Sequence, residues 1–361
     1  MQERKPVFDI VKFVIMCFVV AGHISGNELT EFDRASVSYL SNFNVGVAMP
    51  LFFMISGYFA VSTLNGKWSK IMARIIGFLW PLASFGAVFG IALLLLGKAP
   101  LWKVAAYPFV RLIGGSWFLA TLAVVYTISA IVFHAFHSVR MRILAFFVVY
   151  VLCFFFAGGR DVVSRTLRIG NVLDMLPYFV FGAMCLKPLD LYRKWWIALP
   201  CGIFFLAVVL FEGNIRENGM GFYWVSKDWR MVLSDGHLFL CFWGRTLVGL
   251  TGGVFVLWSI GRVLDVIHRL DCLAVFGTTT LGVYVMHEWP LIQIHKYCSF
   301  EPLPSWSRWP LALALFLVCH FLTVWIRRNS KLNFIFFGDV KWLSGKVEGA
   351  LCRLRKNRCF R

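Results

Sequence analysis

The segment DIVKFVIMCFVVAGHISG, Asp9 to Gly26, decides how this sequence is read. Most of it suits a membrane-buried helix, yet it holds an aspartate, a lysine and a histidine. At about 100° per residue, Lys12 and His23 fall within ~20° of one face and ~16 Å apart along the axis. Asp9 precedes Lys12 by one turn on the same stripe. Ionisable groups at membrane depth are costly and face a cavity or a partner. Lys12 either snorkels to headgroups paired with Asp9 or holds a ligand. His23 either makes a neutral hydrogen bond between helices or does chemistry.

The rest of the chain repeats the apolar theme. Of 361 residues, 59% are hydrophobic and only 15% charged, against about 25% charged in soluble domains. Apolar runs near the ~18-residue spanning length recur throughout. They are continuous, unlike the alternating ~10-residue segments of membrane barrels. The expectation is an all-α, polytopic bundle of about ten helices, over 8–24, 44–64, 71–97, 116–137, 141–158, 172–186, 195–212, 238–260, 272–295 and 309–327. In the third, Gly77, Pro81, Gly86 and Gly90 are places to bend or break. No soluble domain and no internal repeat are visible. The chain divides into a membrane domain, 1–330, and a basic tail, 331–361.

The net charge of +18 does not point to nucleic acid, which needs a folded basic face on a soluble domain. The excess sits in the tail and in short loops such as NGKWSK, SVRMR and KPLDLYRK, as positive charge does on the cytoplasmic side of spanning helices. With an even span count, both termini are expected in the cytoplasm of a multi-pass plasma-membrane protein. The outer loops 98–115 and 158–171 are also basic and read as re-entrant or cavity-facing. The longest outer loop, 213–237, carries Tyr223, Trp224 and Trp229, which either dock a sugar or form an interfacial belt. No cleavage site follows the first apolar run, so it reads as a retained helix. Ten cysteines without a CxxC pair argue against a disulfide framework and a metal site.

Other polar groups lie in or beside the apolar runs. PLFFMISGYFA contains Ser56, Gly57 and Tyr58, small residues that let backbones approach. Lys70 and Arg74 begin the third span, placed to hold phosphates or to anchor among headgroups. Trp117 opens the fourth, and Arg245 sits too deep in the eighth to snorkel easily. In LGVYVMHEWPL, Tyr284 and His287 are i,i+3 neighbours and Glu288 is i+4 from Tyr284. Together these supply cations and histidines from several helices, as a membrane site for an anionic ligand needs.

At this point the sequence resembles the acyltransferase 3 family of integral-membrane O-acyltransferases, close to stand-alone bacterial glycan O-acetyltransferases. Lys12, ten residues and His23 match the family's first-helix pattern. FFMISGYF at 52–59, RIIGFLWP at 74–81, SWFLATL at 116–122 and LGVYVMH at 281–287 resemble later motifs. The likeness covers roughly 5–330. It departs at Gly77, where the family has a second arginine. The resemblance implies acyl transfer, usually of acetyl, from cytoplasmic acyl-coenzyme A as co-substrate to a sugar hydroxyl of a surface glycan or its lipid-linked precursor, with no permanently bound cofactor. His23 would be the catalytic base or a transient acyl carrier. Lys12, Arg74 and Lys70 would receive the donor's phosphates, and Tyr284 or His287 would orient His23 or stabilise the oxyanion. Asp9, Ser56, Gly57, Tyr58, Trp117, Arg245 and Glu288 are supporting residues. Many relatives carry an added extracytoplasmic domain that this sequence lacks, so a separate extracytoplasmic partner is one expectation. The rival readings are a secondary transporter or flippase, which also places cations in helices but usually shows paired interrupted segments, and a non-catalytic receptor.

Overall fold

A computed structural model describes residues 5–26, 43–98, 100–110, 117–156, 169–215, 236–297 and 303–339. The aromatic loop residues Tyr223, Trp224 and Trp229, and the tail beyond 339, lie outside them. The described chain is an all-α bundle of α1 (Pro6–Gly26), α2 (Met49–Leu64), α3 (Trp68–Leu95), α4 (Leu101–Val110), α5 (Trp117–Ala135), α6 (Val139–Phe156), α7 (Ile169–Phe181), α8 (Trp195–Ile215), α9 (Gly236–Val266), α10 (Thr280–Tyr297), α11 (Arg308–Arg328) and α12 (Ser330–Phe337). Eight helices among the described residues are long and apolar enough to cross a membrane. The helices His268–Gly277 and Thr280–Ile292, bent by 53°, make one more, and Trp195–Val208 is a shorter apolar helix. These are the ten segments expected from the sequence. The chain is a multi-pass membrane protein.

Burial sorts the helices into centre and rim. The span Gly46–Leu64 is 72% buried and Val139–Phe156 only 11%, so α2 is an axis of the bundle and α6 faces lipid. Phe8, Ile15, Leu51, Phe53, Met54, Tyr126, Phe179 and Phe316 are fully enclosed. Lipid tails are as apolar as leucine, so close van der Waals packing has to hold such helices together. Gly57 supplies it on α2: a Cβ there would collide with the Phe179 carbonyl. Gly182 answers from the other side, its own Cβ position blocked by the Met54 carbonyl. The small pair in the FFMISGYF stretch therefore joins α2 to α7.

Two features were not foreseen. Single π-helical turns, Asn44–Ala48 and Gly182–Leu186, run into α2 and out of α7. Such turns widen the helix locally and often accompany functional sites. Within the 98–115 segment, residues 101–110 form α4, which folds back along α3, with Val104 and Tyr107 against Gly90. At ten residues, or about 15 Å, α4 is too short to span. The long α3 runs unbroken through Pro81. Its 28 residues measure about 42 Å, against a hydrocarbon core of about 30 Å, so part of it must tilt or emerge. After α11 the chain turns back, and α12 packs on α3: Trp80 Nε1 donates to the Ile335 carbonyl at 2.8 Å and Ser84 Oγ to that of Phe336 at 2.9 Å.

The geometry that places the site is the pairing of α1 with α10. The short helix Ala274–Gly277 meets α1 where Gly277 abuts the Asp9 backbone. Further along, the His23 ring meets that of His287. The two helices run in the same direction. In the expected order, spans two to eight lie between them, an odd number, as parallel helices in an alternating bundle require.

Candidate functional site

α1 is continuous from Pro6 to Gly26, so Lys12 and His23 keep their face and their ~16 Å separation. Lys12 Nζ is 2.6 Å from Asp9 Oδ1, with Asp9 buried. An aspartate one turn from a lysine neutralises it locally, which is how a charged pair tolerates this depth.

Beyond that pair lies the histidine cluster. The His23 and His287 ring centroids are 5.0 Å apart at 65°. His287 is 1% exposed. Its Nδ1 lies 3.0 Å from both the Val283 and the Tyr284 carbonyl oxygens. Carbonyls only accept, so Nδ1 carries a proton, and in the neutral ring the lone pair would then be on Nε2. Tyr284 is fixed in turn: its hydroxyl accepts from the Phe118 backbone N–H at 3.3 Å, and its ring packs on Phe118 at 5.1 Å. Glu288 follows His287 on α10 and is half-buried. The sequence-predicted His23, Tyr284, His287 and Glu288 thus come together, and Trp117 is next to them through Phe118. A buried imidazole oriented by backbone carbonyls, beside a second imidazole, can accept a proton and hand it on.

The remaining expected residues go elsewhere. Arg245 is ion-paired with Asp174 of α7, both nearly buried, and the Tyr178 hydroxyl donates to the Arg245 carbonyl at 3.4 Å. Its depth is explained by a carboxylate that the sequence reading passed over. Lys70 and Arg74 stand exposed on the first turns of α3, with the Arg74 guanidinium 5.7 Å from the Phe78 ring. Ser56 is half-buried beside Gly57. Tyr58 is buried at the start of α1, 4.5 Å from the Phe8 ring.

That last contact belongs to a cluster missed in the sequence. Lys5 Nζ donates to the Tyr192 hydroxyl at 2.6 Å and lies 5.8 Å from the Tyr58 ring centroid. Burial opposes the ammonium, but hydrogen bonding to Tyr192 and Tyr58 outweighs it and raises the Lys5 pKa above the ordinary lysine value. Lys187 also comes within 5.7 Å of the Tyr58 ring centroid. Cations on phenol faces are stabilised by the ring quadrupole. Also unforeseen is His320 on α11, buried, with Nδ1 2.7 Å from Thr279 Oγ1 and its ring against Phe276. It is a satisfied core histidine. Among the described residues no group of three or more His, Cys, Asp or Glu is placed to hold a metal ion.

A family model described as an acyltransferase domain matches residues 6–328, which include every site residue expected from the sequence. No curated protein and no solved structure matches the chain.

Proposed function

This chain belongs to the acyltransferase 3 family, matched over residues 6–328, and from that premise we propose that it moves an acetyl group from acyl-coenzyme A to a sugar hydroxyl of a surface glycan or its lipid-linked precursor. Membrane acyl transfer is the family's activity. The observation that carries the finer reading is the His23–His287 ring contact, with His287 buried and held by backbone carbonyls, near the far end of the helix that carries Lys12 in its first two turns. A sugar hydroxyl is a weak nucleophile and needs a positioned base. In the proposed step the hydroxyl oxygen attacks the thioester carbonyl while the His23 imidazole takes its proton. The tetrahedral intermediate collapses, the carbon–sulfur bond breaks, and the thiolate leaves with the proton from the imidazolium. His287 orients His23, and Tyr284 orients His287 through its packing on Phe118.

The donor comes from the side on which α1 begins. We assign that side to the cytoplasm, with both termini there, because the basic connections gather on it and because α1 and α10 run parallel. Lys12 and Arg74 are the proposed phosphate contacts. The acceptor meets His23 from the other end, either alone or with a separate extracytoplasmic partner. Purified protein given labelled acetyl-coenzyme A and a panel of glycans tests the reading: label should pass to one glycan class in wild type and not in His23→Gln. Equal transfer by the two proteins would overturn it.

A further inference from the structure

The start of α1 opens onto a cavity of about 570 Å³, within the usual range for a small-molecule site. Lys5, Tyr192, Arg193, Trp258, Arg262 and His268 line it, from three separate stretches of chain. Asp265 and Asp271 are also in its wall, and Asp190 stands against Lys5 and Arg193.

The ion pairs here are loose. Lys5 lies 3.8 Å from Asp190, Arg193 3.7 Å from the same carboxylate, and Arg262 3.5 Å from Asp265. A tight charge-assisted hydrogen bond closes to about 2.7–2.9 Å, and the Lys12–Asp9 pair does so at 2.6 Å. Arg193 and Arg262 are more than half exposed, so an incoming anion can draw them from these partners at little cost. Lys5 is held in place by the Tyr192 hydroxyl. The wall also carries an unsatisfied donor: the Trp258 indole N–H is buried with no acceptor among the described residues. A buried donor of this kind is costly until something accepts from it.

The geometry points to this cavity as a binding site for a phosphate-bearing ligand, its phosphates on Lys5, Arg193 and Arg262. Two sources of that chemistry reach this end of the bundle. One is the 3′,5′-ADP end of the acyl donor, an assignment that rests on the acyl-coenzyme A reading above. The other is the headgroup of an anionic phospholipid. The nucleotide suits the position. Lys5 precedes His23 by 18 residues, about 27 Å of helix, and a long donor has its phosphates at one end and its thioester at the other. Trp258 and Tyr192 add flat faces for a base.

The test uses the full-length chain in nanodiscs, with adenosine 3′,5′-bisphosphate as probe and calorimetry as readout. The variants are Arg193→Gln/Arg262→Gln, both at exposed positions, with Lys5→Met and Trp258→Leu as companions. In phosphatidylcholine discs, wild type should bind the probe, and each lost cation should weaken binding about tenfold or more. Trp258→Leu should weaken the nucleotide too. If instead phosphatidylglycerol discs abolish probe binding and raise the melting midpoint of wild type but not of the double variant, the phosphate site stands and its occupant is lipid. The inference is overturned if neither probe binding nor phosphatidylglycerol stabilisation differs between wild type and the variants, or if neither occurs. Acyl transfer by wild type alongside that overturning result leaves the proposed function intact. Probe binding through these residues without acyl transfer to any acceptor leaves the site and removes the function.

Discussion

The two ends of α1 are made of opposite materials. At its start, Lys5, Arg193 and Arg262 are 39%, 70% and 53% exposed, and their carboxylate partners sit at 3.5–3.8 Å. Near its far end, His23 meets a histidine that is 1% exposed and pinned by two carbonyls at 3.0 Å. Loosely paired, exposed arginines beside a lysine anchored by Tyr192 exchange partners readily and suit a ligand that comes and goes. A fixed imidazole in a dry setting suits a proton transfer whose geometry cannot drift, because reorganisation has been removed in advance. On the proposed reading, one helix separates capture from chemistry by its own length.

Substitution of His23 should give the largest effect and the sharpest test of that division. His23→Gln keeps most of the bulk but cannot take the proton. Turnover should fall about 10²–10⁴-fold, with donor affinity and melting midpoint near wild type. A folded His23→Gln protein with normal turnover would move the chemistry to His287. If donor affinity collapses in parallel, the two ends are not separate, and the comparison fails.

The Arg245–Asp174 pair comes next. Both are nearly buried, at 8% and 11% exposure. Arg245→Met leaves a buried carboxylate without its cation, a loss of about 3–5 kcal/mol. The double change Arg245→Met/Asp174→Leu should recover much of it, since apolar replacements of buried pairs are often neutral or better. Midpoints from thermal unfolding in detergent check both. A stable but inactive Arg245→Met would instead place this arginine in the site.

Much of this bundle could be read from one strand of text, for physical reasons. Spanning helices satisfy their own backbone, so an apolar run of the right length is nearly a structure, and all ten segments were placed to within a few residues. His23, Tyr284, His287 and Glu288, which the structure brings together, stood out in the sequence because polar and ionisable residues are rare against an apolar background. Contacts between distant segments were not legible. Asp174 stands in the short seventh helix with no cation one turn away; its partner is 71 residues on. Lys5 looked like an ordinary charged flank until Tyr192, 187 residues later, gave it a fixed place. The π turns at 44–48 and 182–186 depend on hydrogen-bond register, which hydropathy does not encode. Nor does it show that α4 folds back on Gly90.

The cations proposed to hold the donor should give smaller effects, confined to one end. Lys12→Ala and Arg74→Ala should each weaken acyl-coenzyme A binding about ten- to hundredfold, the value of one charge-assisted contact, while turnover at saturating donor changes little. Lys12→Arg should be milder, although the pair with Asp9 at 2.6 Å fixes how far a guanidinium can be accommodated. Arg74 is the more exposed of the two, so its contribution should fade sooner as salt is raised. Unchanged donor affinity in Arg74→Ala would leave this arginine as a headgroup anchor over Phe78.

The smallest expected effect is at Gly77, where the family's second arginine is absent. A Cβ built at this position meets nothing within 4 Å, so a side chain enters without moving a neighbour. Gly77 lies one turn beyond Arg74, about 4.5 Å along α3, and an arginine there would share its face. Gly77→Arg removes a helix-interior glycine, which stabilises by up to about 1 kcal/mol, and adds a cation on the donor's path. The expected result is a slightly higher melting midpoint and a donor KM lowered by up to about tenfold, with kcat unchanged, because the new charge stands at the capture end and far from His23. A fall in kcat would show that this chain has rebuilt its donor path around the missing arginine, so that a cation there obstructs the acyl arm. No change in KM would mean that the phosphates do not pass along α3, leaving Lys12 and the cavity beside Lys5 as their candidate seats among the described residues.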